Sequence, residues 1–201
     1  LWPHGRRIAV APADAATALE PDLSGDLTLY LALILTLAPT DVLLGEKDYE
    51  LLLAIHHAVQ DFHLGVRVQG VPAVRMPDGV VMSLRNTHVP AESREQAAAL
   101  SAALTAGAHA AETSAQKVRE VAAEVLRAAG VEPEYLEVRG RDLGAPPVEG
   151  DARLLVAATI GGVRLIDNVG LPLGIGFNNI EEHEAKAELE REQQREQQRA
   201  E

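Results

Sequence analysis

The chain contains no cysteine. That excludes a disulfide framework, thiolate catalysis and a thiolate zinc site. Aromatic residues make up 3% of the 201 residues, against 47% apolar, so any core must be built from Leu, Val, Ile and Ala. An excess of positive charge is also missing. With 18 Lys and Arg against 30 Asp and Glu, the net charge is −12. A nucleic-acid binder would show a basic face, and an acidic chain is poorly suited to anionic membrane surfaces. The longest apolar run, Leu27–Ala38, is interrupted by Thr28 and Thr36. It is too short for a bilayer, which needs about 20 residues. No secretory signal is visible. A reducing cytoplasm fits these absences, and a nucleotide site remains open, since a local Lys and Arg pair can serve inside an acidic protein.

What is present has the organisation of an α/β chain. Arg7–Val10 reads as a short strand, and Ala13–Leu19 as one or two helical turns. A helix opening at Gly25-Asp26 is apolar nearly all round, so it should be buried on more than one side. Pro39 ends it. Asp41–Leu44 then reads as a buried strand, 48–61 as an amphipathic helix closed by Gly65, and Val66–Val71 as a returning parallel strand. Beyond Pro72 come two Ala-rich helices, about 91–111 and 114–129, with Gly130 placed to end the second. A strand at 135–138 follows, and then a hairpin of 153–159 and 163–169 turning on Gly161-Gly162. The units are 1–72, 73–180 and a charged tail, 181–201, that is either a solvated helix or disordered. Alone, the two parallel strands would leave edges exposed, which favours association with a partner or a second copy.

Two polar segments are candidates for chemistry. Gly45-Glu46-Lys47-Asp48-Tyr49 follows the first buried strand, at the strand end where open α/β sheets bind ligands. Lys47 fits either a ligand-facing turn or a strand-capping surface position, and Asp48 can also serve as a helix N-cap. Ser83-Leu84-Arg85-Asn86 offers hydroxyl and guanidinium donors suited to phosphate. His56, His57 and His63 are not spaced as a metal site. Asp167-Asn168 reads as a structural pair at a strand end.

Five segments in register carry a resemblance. They are Gly45–Tyr49, Val71–Arg75 with Asp78-Gly79, Met82-Ser83-Leu84-Arg85-Asn86, Tyr135-Leu136-Glu137 and Arg164–Asn168, preceded by Trp2-Pro3-His4-Gly5. Together they resemble the pantothenate synthetase (pantoate–β-alanine ligase) family over about residues 1–170. The resemblance implies the C-terminal portion of a Rossmann-like nucleotidyltransferase sheet, followed by a small α+β lid domain. It implies an ATP-dependent ligase that joins pantoate to β-alanine through a pantoyl adenylate. Lys47, Ser83 and Arg85 would be the catalytic, phosphate-facing groups. Gly45 and Asp48 would hold the ribose, and Val74 and Met82 would border the adenine. Mg²⁺ would accompany ATP, with no protein ligand for it and no other metal site.

The departures from the family are specific. The family's His-x-Gly-His motif is absent from these 201 residues, together with the half that carries it. Leu51 stands where the family has a pantoate-binding Gln, and Leu84 where it has a second Ser. Glu20–Gly25 replaces an Arg-x-Thr-His-Phe-like segment, and Pro90 falls at a helix N-cap. The expectation is a chain incomplete by itself, working as a homodimer or with a complementing N-terminal half. The rival expectation is a catalytically inactive remnant serving as an interaction module.

Overall fold

The computed structural model describes residues 2, 5–13 and 18–175. The expected charged tail at 181–201, and most of the helical turns expected at 13–19, lie outside the described residues. The architecture is mixed α/β, with one parallel and one antiparallel sheet.

The parallel sheet is the strand–helix–strand unit expected from the sequence. β1 (Asp41–Gly45) and β2 (Arg67–Val71) pair in parallel, Asp41 opposite Arg67 through Gly45 opposite Val71. Between them a 3₁₀ turn, Glu46–Asp48, runs into α2 (Tyr49–Asp61). α1 (Leu23–Leu37) precedes β1 and packs on α2. The shared core is Leu23, Leu27, Leu31 and Ile34 against Ala54, Ile55, Ala58 and Val59.

Three local expectations need correction. α1 is not buried on several sides, because Leu35 and Leu37 are 65% and 71% exposed on the face away from α2. Residues 7–10 form no strand. The Val10 amide instead donates to the Thr28 hydroxyl at 2.8 Å, which fixes that segment to α1. α2 ends at Asp61 as expected, but Gly65 does not close it. His63 takes the left-handed conformation (φ 51°), its amide donating to Gln60 while the Leu64 amide donates to Val59. These two bonds make a Schellman closure without glycine.

α3 (Arg94–His109) and α4 (Ala115–Ala128) cover one face of the antiparallel sheet. A 3₁₀ turn, Ala91–Ser93, leads into α3 from Pro90, which makes no side-chain cap, whereas Ser114 caps α4 through the Lys117 amide. Gly130 (φ 67°) closes α4 with the double hydrogen bond expected of it. The sheet order is β3 (Tyr135–Gly140), β4 (Gly150–Ile160), β5 (Val163–Leu173). The hairpin turns on Gly161 and Gly162, both at positive φ as a two-residue turn of this hand requires.

Side chains alternate across this sheet. Leu154, Val156, Ala158 and Ile160 of β4, with Leu165, Leu171 and Leu173 of β5, join the helical core. Arg153 and Asn168 reach the other way, to the Glu46–Asp48 turn.

Candidate functional site

The site lies where the end of β1 meets the free face of the antiparallel sheet. A cavity of about 460 Å³ opens there. Lys47, Asp48 and Arg85 contribute to its lining, with Glu20, Asp22 and Tyr135 also on its wall. A smaller cleft beside it brings Lys47 together with Ser83 and Arg85. Two cations from segments far apart in sequence therefore face one space, beside a hydroxyl. Such an arrangement can hold and neutralise a polyanion.

Local structure explains how each group is presented. Lys47 sits in the tight turn between β1 and α2, its side chain only 13% exposed and its Nζ 3.5 Å from Asp48 Oδ1. Asp48 makes no side-chain cap on α2. The Ser83 hydroxyl accepts the Arg85 amide at 3.2 Å, which caps the 3₁₀ turn Leu84–His88 and sets the Arg85 backbone. Leu84 points outward, 87% exposed.

The remaining sequence candidates stand apart from these cavities. Val74 and Met82 are joined by a 2.8 Å hydrogen bond from the Met82 amide to the Val74 carbonyl, and both side chains are more than half exposed. Gly45 is exposed in extended backbone, with open space where a Cβ would project. His56 and His57 lie exposed on α2. Among the described residues no three His, Asp or Glu side chains are placed to hold a metal ion.

Charged groups that sequence reasoning gave no role complete the site. Glu20 accepts hydrogen bonds from the Tyr135 hydroxyl at 2.9 Å and from Arg164 Nη1 at 2.6 Å. Burial, reinforced by the Glu20 carboxylate, pushes the Tyr135 phenol far above its ordinary value, so it stays a donor. Burial works against the Arg164 charge, but hydrogen bonds to Glu20 and Glu134 outweigh it and hold the guanidinium above its usual range. Glu134 is held below the usual carboxylate range by hydrogen bonds from Thr159 and Arg164. Also on the cavity wall, Glu50 accepts the amides of Leu19 and Glu20, yet its burial raises its carboxyl above the ordinary value. These links span long stretches of sequence, and no local pattern marks them.

Asp167 and Asn168 are also more than a strand-end pair. Asp167 is buried and takes a bidentate ion pair from Arg75, at 2.7 and 3.0 Å. The Asn168 amide nitrogen donates to the backbone carbonyls of Glu46, at 3.0 Å, and Lys47, at 2.8 Å.

Comparison with known proteins agrees with this geometry. The family model described as pantoate-beta-alanine ligase matches residues 20–170. A pantothenate synthetase of Corynebacterium jeikeium is 44% identical over 188 residues, covering 90% of this chain and 61% of that protein. One from Rhodococcus jostii is 45% identical, covering 88% of this chain and 59% of its own length. The chain thus spans about three fifths of the curated relatives it matches. Among solved structures, a pantothenate synthetase of Thermus thermophilus superimposes with a TM-score of 0.76 at 33% identity, over 84% of this chain and 65% of that one. A pantoate-beta-alanine ligase of Francisella tularensis, crystallised with beta-gamma ATP and beta-alanine, gives 0.64 at 26% identity over 84% of this chain and 60% of its own. By motif, fold and sequence, the chain belongs to the pantoate–β-alanine ligase family.

Proposed function

We propose that the chain contributes the lysine, serine and arginine wall of an ATP-dependent ligase that joins pantoate to β-alanine. The observation that carries this reading is the convergence of Lys47 and Arg85 on one cavity, with Ser83 beside them. The pantoate carboxylate attacks the α-phosphorus of ATP. A carbon-bound oxygen–phosphorus bond forms, the bond to the β-phosphate breaks, and pyrophosphate leaves. Lys47 offsets the negative charge that develops on the phosphate oxygens, the group on which electrostatic catalysis depends most. Arg85 and Ser83 orient the phosphates. The amine of β-alanine then attacks the acyl carbon, losing a proton as the amide forms and AMP departs.

Gly45 and Asp48 are assigned to the ribose, and Val74 and Met82 to the edge of the adenine. In this reading residues 1–72 belong to the nucleotide-binding unit, 73–180 form the lid, and the protein works in the cytoplasm. Mg²⁺ would travel with the triphosphate, held by its oxygens rather than by a protein cluster.

The 201 residues contain no His-x-Gly-His, and Leu51 offers no hydrogen bond to pantoate. Loss of a single charge-stabilising contact costs about 100-fold or more. The purified chain is therefore expected to bind ATP but to form pantothenate far more slowly than full-length relatives, until a complementing half supplies the rest. Thermal shift with millimolar ATP tests the binding. A rise in Tm that disappears in Lys47→Ala supports the reading, and no rise in the wild-type chain overturns it in favour of an inactive interaction module. A coupled assay for AMP tests turnover. Rates from the chain alone equal to those of a full-length relative would refute its incompleteness.

A further inference from the structure

We infer that Asp167-Asn168 is the positioning element that sets the Lys47 turn and the Ser83–Arg85 segment at a fixed separation. The two residues are consecutive on β5, so their side chains leave opposite faces of the sheet. On the helical face, Asp167 binds Arg75 through both oxygens and also accepts the Ser101 hydroxyl of α3 at 3.1 Å. Arg75 opens the short bridge to Val81 from which the chain runs directly into Ser83 and Arg85. On the other face, Asn168 donates to the Glu46 and Lys47 carbonyls and accepts from Arg153. Arg153 in turn reaches Glu46 Oε2 at 3.3 Å.

Each half of the candidate phosphate wall is therefore tied to one of two adjacent backbone units. Asn168 grips the turn by its backbone, so the Lys47 side chain, paired with Asp48, is left to line the cavity. Neither Asp167 nor Asn168 needs to touch a ligand. They act through Lys47 and through the Arg75–Arg85 segment. A shift of about 1 Å in such a group can cost about 100-fold in rate. The assignment rests on the proposed ATP site for its purpose, but the clamp itself can be measured without ATP.

The test uses variants of matched shape in the full chain. Asn168→Asp keeps the volume and replaces the amide donor with an oxygen facing two carbonyls, and Asn168→Ala removes the donor without repulsion. Hydrogen–deuterium exchange at the amides of 45–49 should accelerate about tenfold in both, in proportion to a lost hydrogen bond, with 83–88 unchanged. Asp167→Asn should do the reverse, loosening 83–88 and sparing 45–49. Uniform loosening of both segments, or of neither, overturns the inference. ATP affinity, measured well below each variant's Tm, should fall about 10- to 100-fold in Asn168→Asp. An unchanged affinity with faster exchange would mean a purely structural clamp and would also overturn it. If the wild-type chain binds no ATP, the functional proposal fails, and the exchange experiment alone decides whether the clamp exists.

Discussion

Arg153 offers the sharpest quantitative check on how the two sheets are joined. Its guanidinium lies 3.6 Å from the Tyr49 ring centroid, donates to Asn168 Oδ1 and sits 3.3 Å from Glu46. The side chain is only 13% exposed. A largely desolvated cation on a tyrosine face contributes about 1–2 kcal/mol. The charged donor to the asparagine adds about 1.5 kcal/mol. The pair with Glu46, whose carboxylate is one third exposed, adds no more than about 0.5 kcal/mol after solvent screening. These terms share atoms and are not additive, so Arg153→Ala should cost about 2–3 kcal/mol. For a chain of this size that is a fall in Tm of about 4–12 °C. Arg153→Lys keeps a charge near Glu46 but loses the planar stack and the forked donors. It should recover less than half. Urea denaturation followed by circular dichroism measures both. If Arg153→Ala lies within about 0.5 kcal/mol of wild type, or if Lys restores full stability, stacking on Tyr49 does not hold the sheets together.

Two further perturbations probe other parts of the fold. A Cβ on Gly107 would sit 2.7 Å from Leu154 Cδ2 and 3.1 Å from the Val118 carbonyl oxygen, where α3 meets α4 and β4. Gly107→Ala gains up to about 1 kcal/mol in helix propensity but incurs an overpacking cost of about 1–3 kcal/mol, so denaturation should show a net loss; a stabilised variant would contradict the close approach. Glu50, with its carboxyl raised by burial, favours folding most when protonated. Its contribution is fully present below the ordinary glutamate value and is lost as pH rises through the raised one. The stability of wild type relative to Glu50→Gln should therefore decline from acid to neutral pH, and a difference that rises with pH would refute the burial argument.

The parts of the fold with local signals could be read from the sequence. Apolar spacing marked α2 to α4, Gly161-Gly162 marked the hairpin, and Gly130 marked the end of α4. The end of α2 at Asp61 matches the expected span, but its closing residue is His63 rather than Gly65, because His63 accepts a strained left-handed backbone that glycine usually supplies. At 7–10 no strand forms, and the Val10 backbone pairs with the Thr28 hydroxyl rather than with a neighbouring strand, an outcome that propensity does not register. At the site, Lys47, Ser83 and Arg85 were legible through motif and resemblance, and the structure gathers them around adjoining cavities. Arg75 and Arg164 lie in segments that carry the resemblance, but nothing in them assigned either side chain a role, and Glu20 and Arg153 had no role assigned either. Their partners are distant in sequence, and an arginine on a strand looks the same whether it meets water or a carboxylate.

The opposed faces of β5 place an unusual demand on the hairpin before it. Because side chains alternate with a period of two, a one-residue insertion or deletion at Gly161-Gly162 that slipped the register would move every side chain of β5 to the opposite face. An insertion would carry the Asp167 carboxylate to the place of Asn168, against the Glu46 and Lys47 carbonyls, oxygen against oxygen, and a deletion would bring the neutral Asn168 amide opposite the Arg75 guanidinium. Single-residue changes in length at this turn should therefore be poorly tolerated wherever they slip the register. Turn length, a quantity with no chemistry of its own, would select which charge is presented to which partner at the other end of the strand.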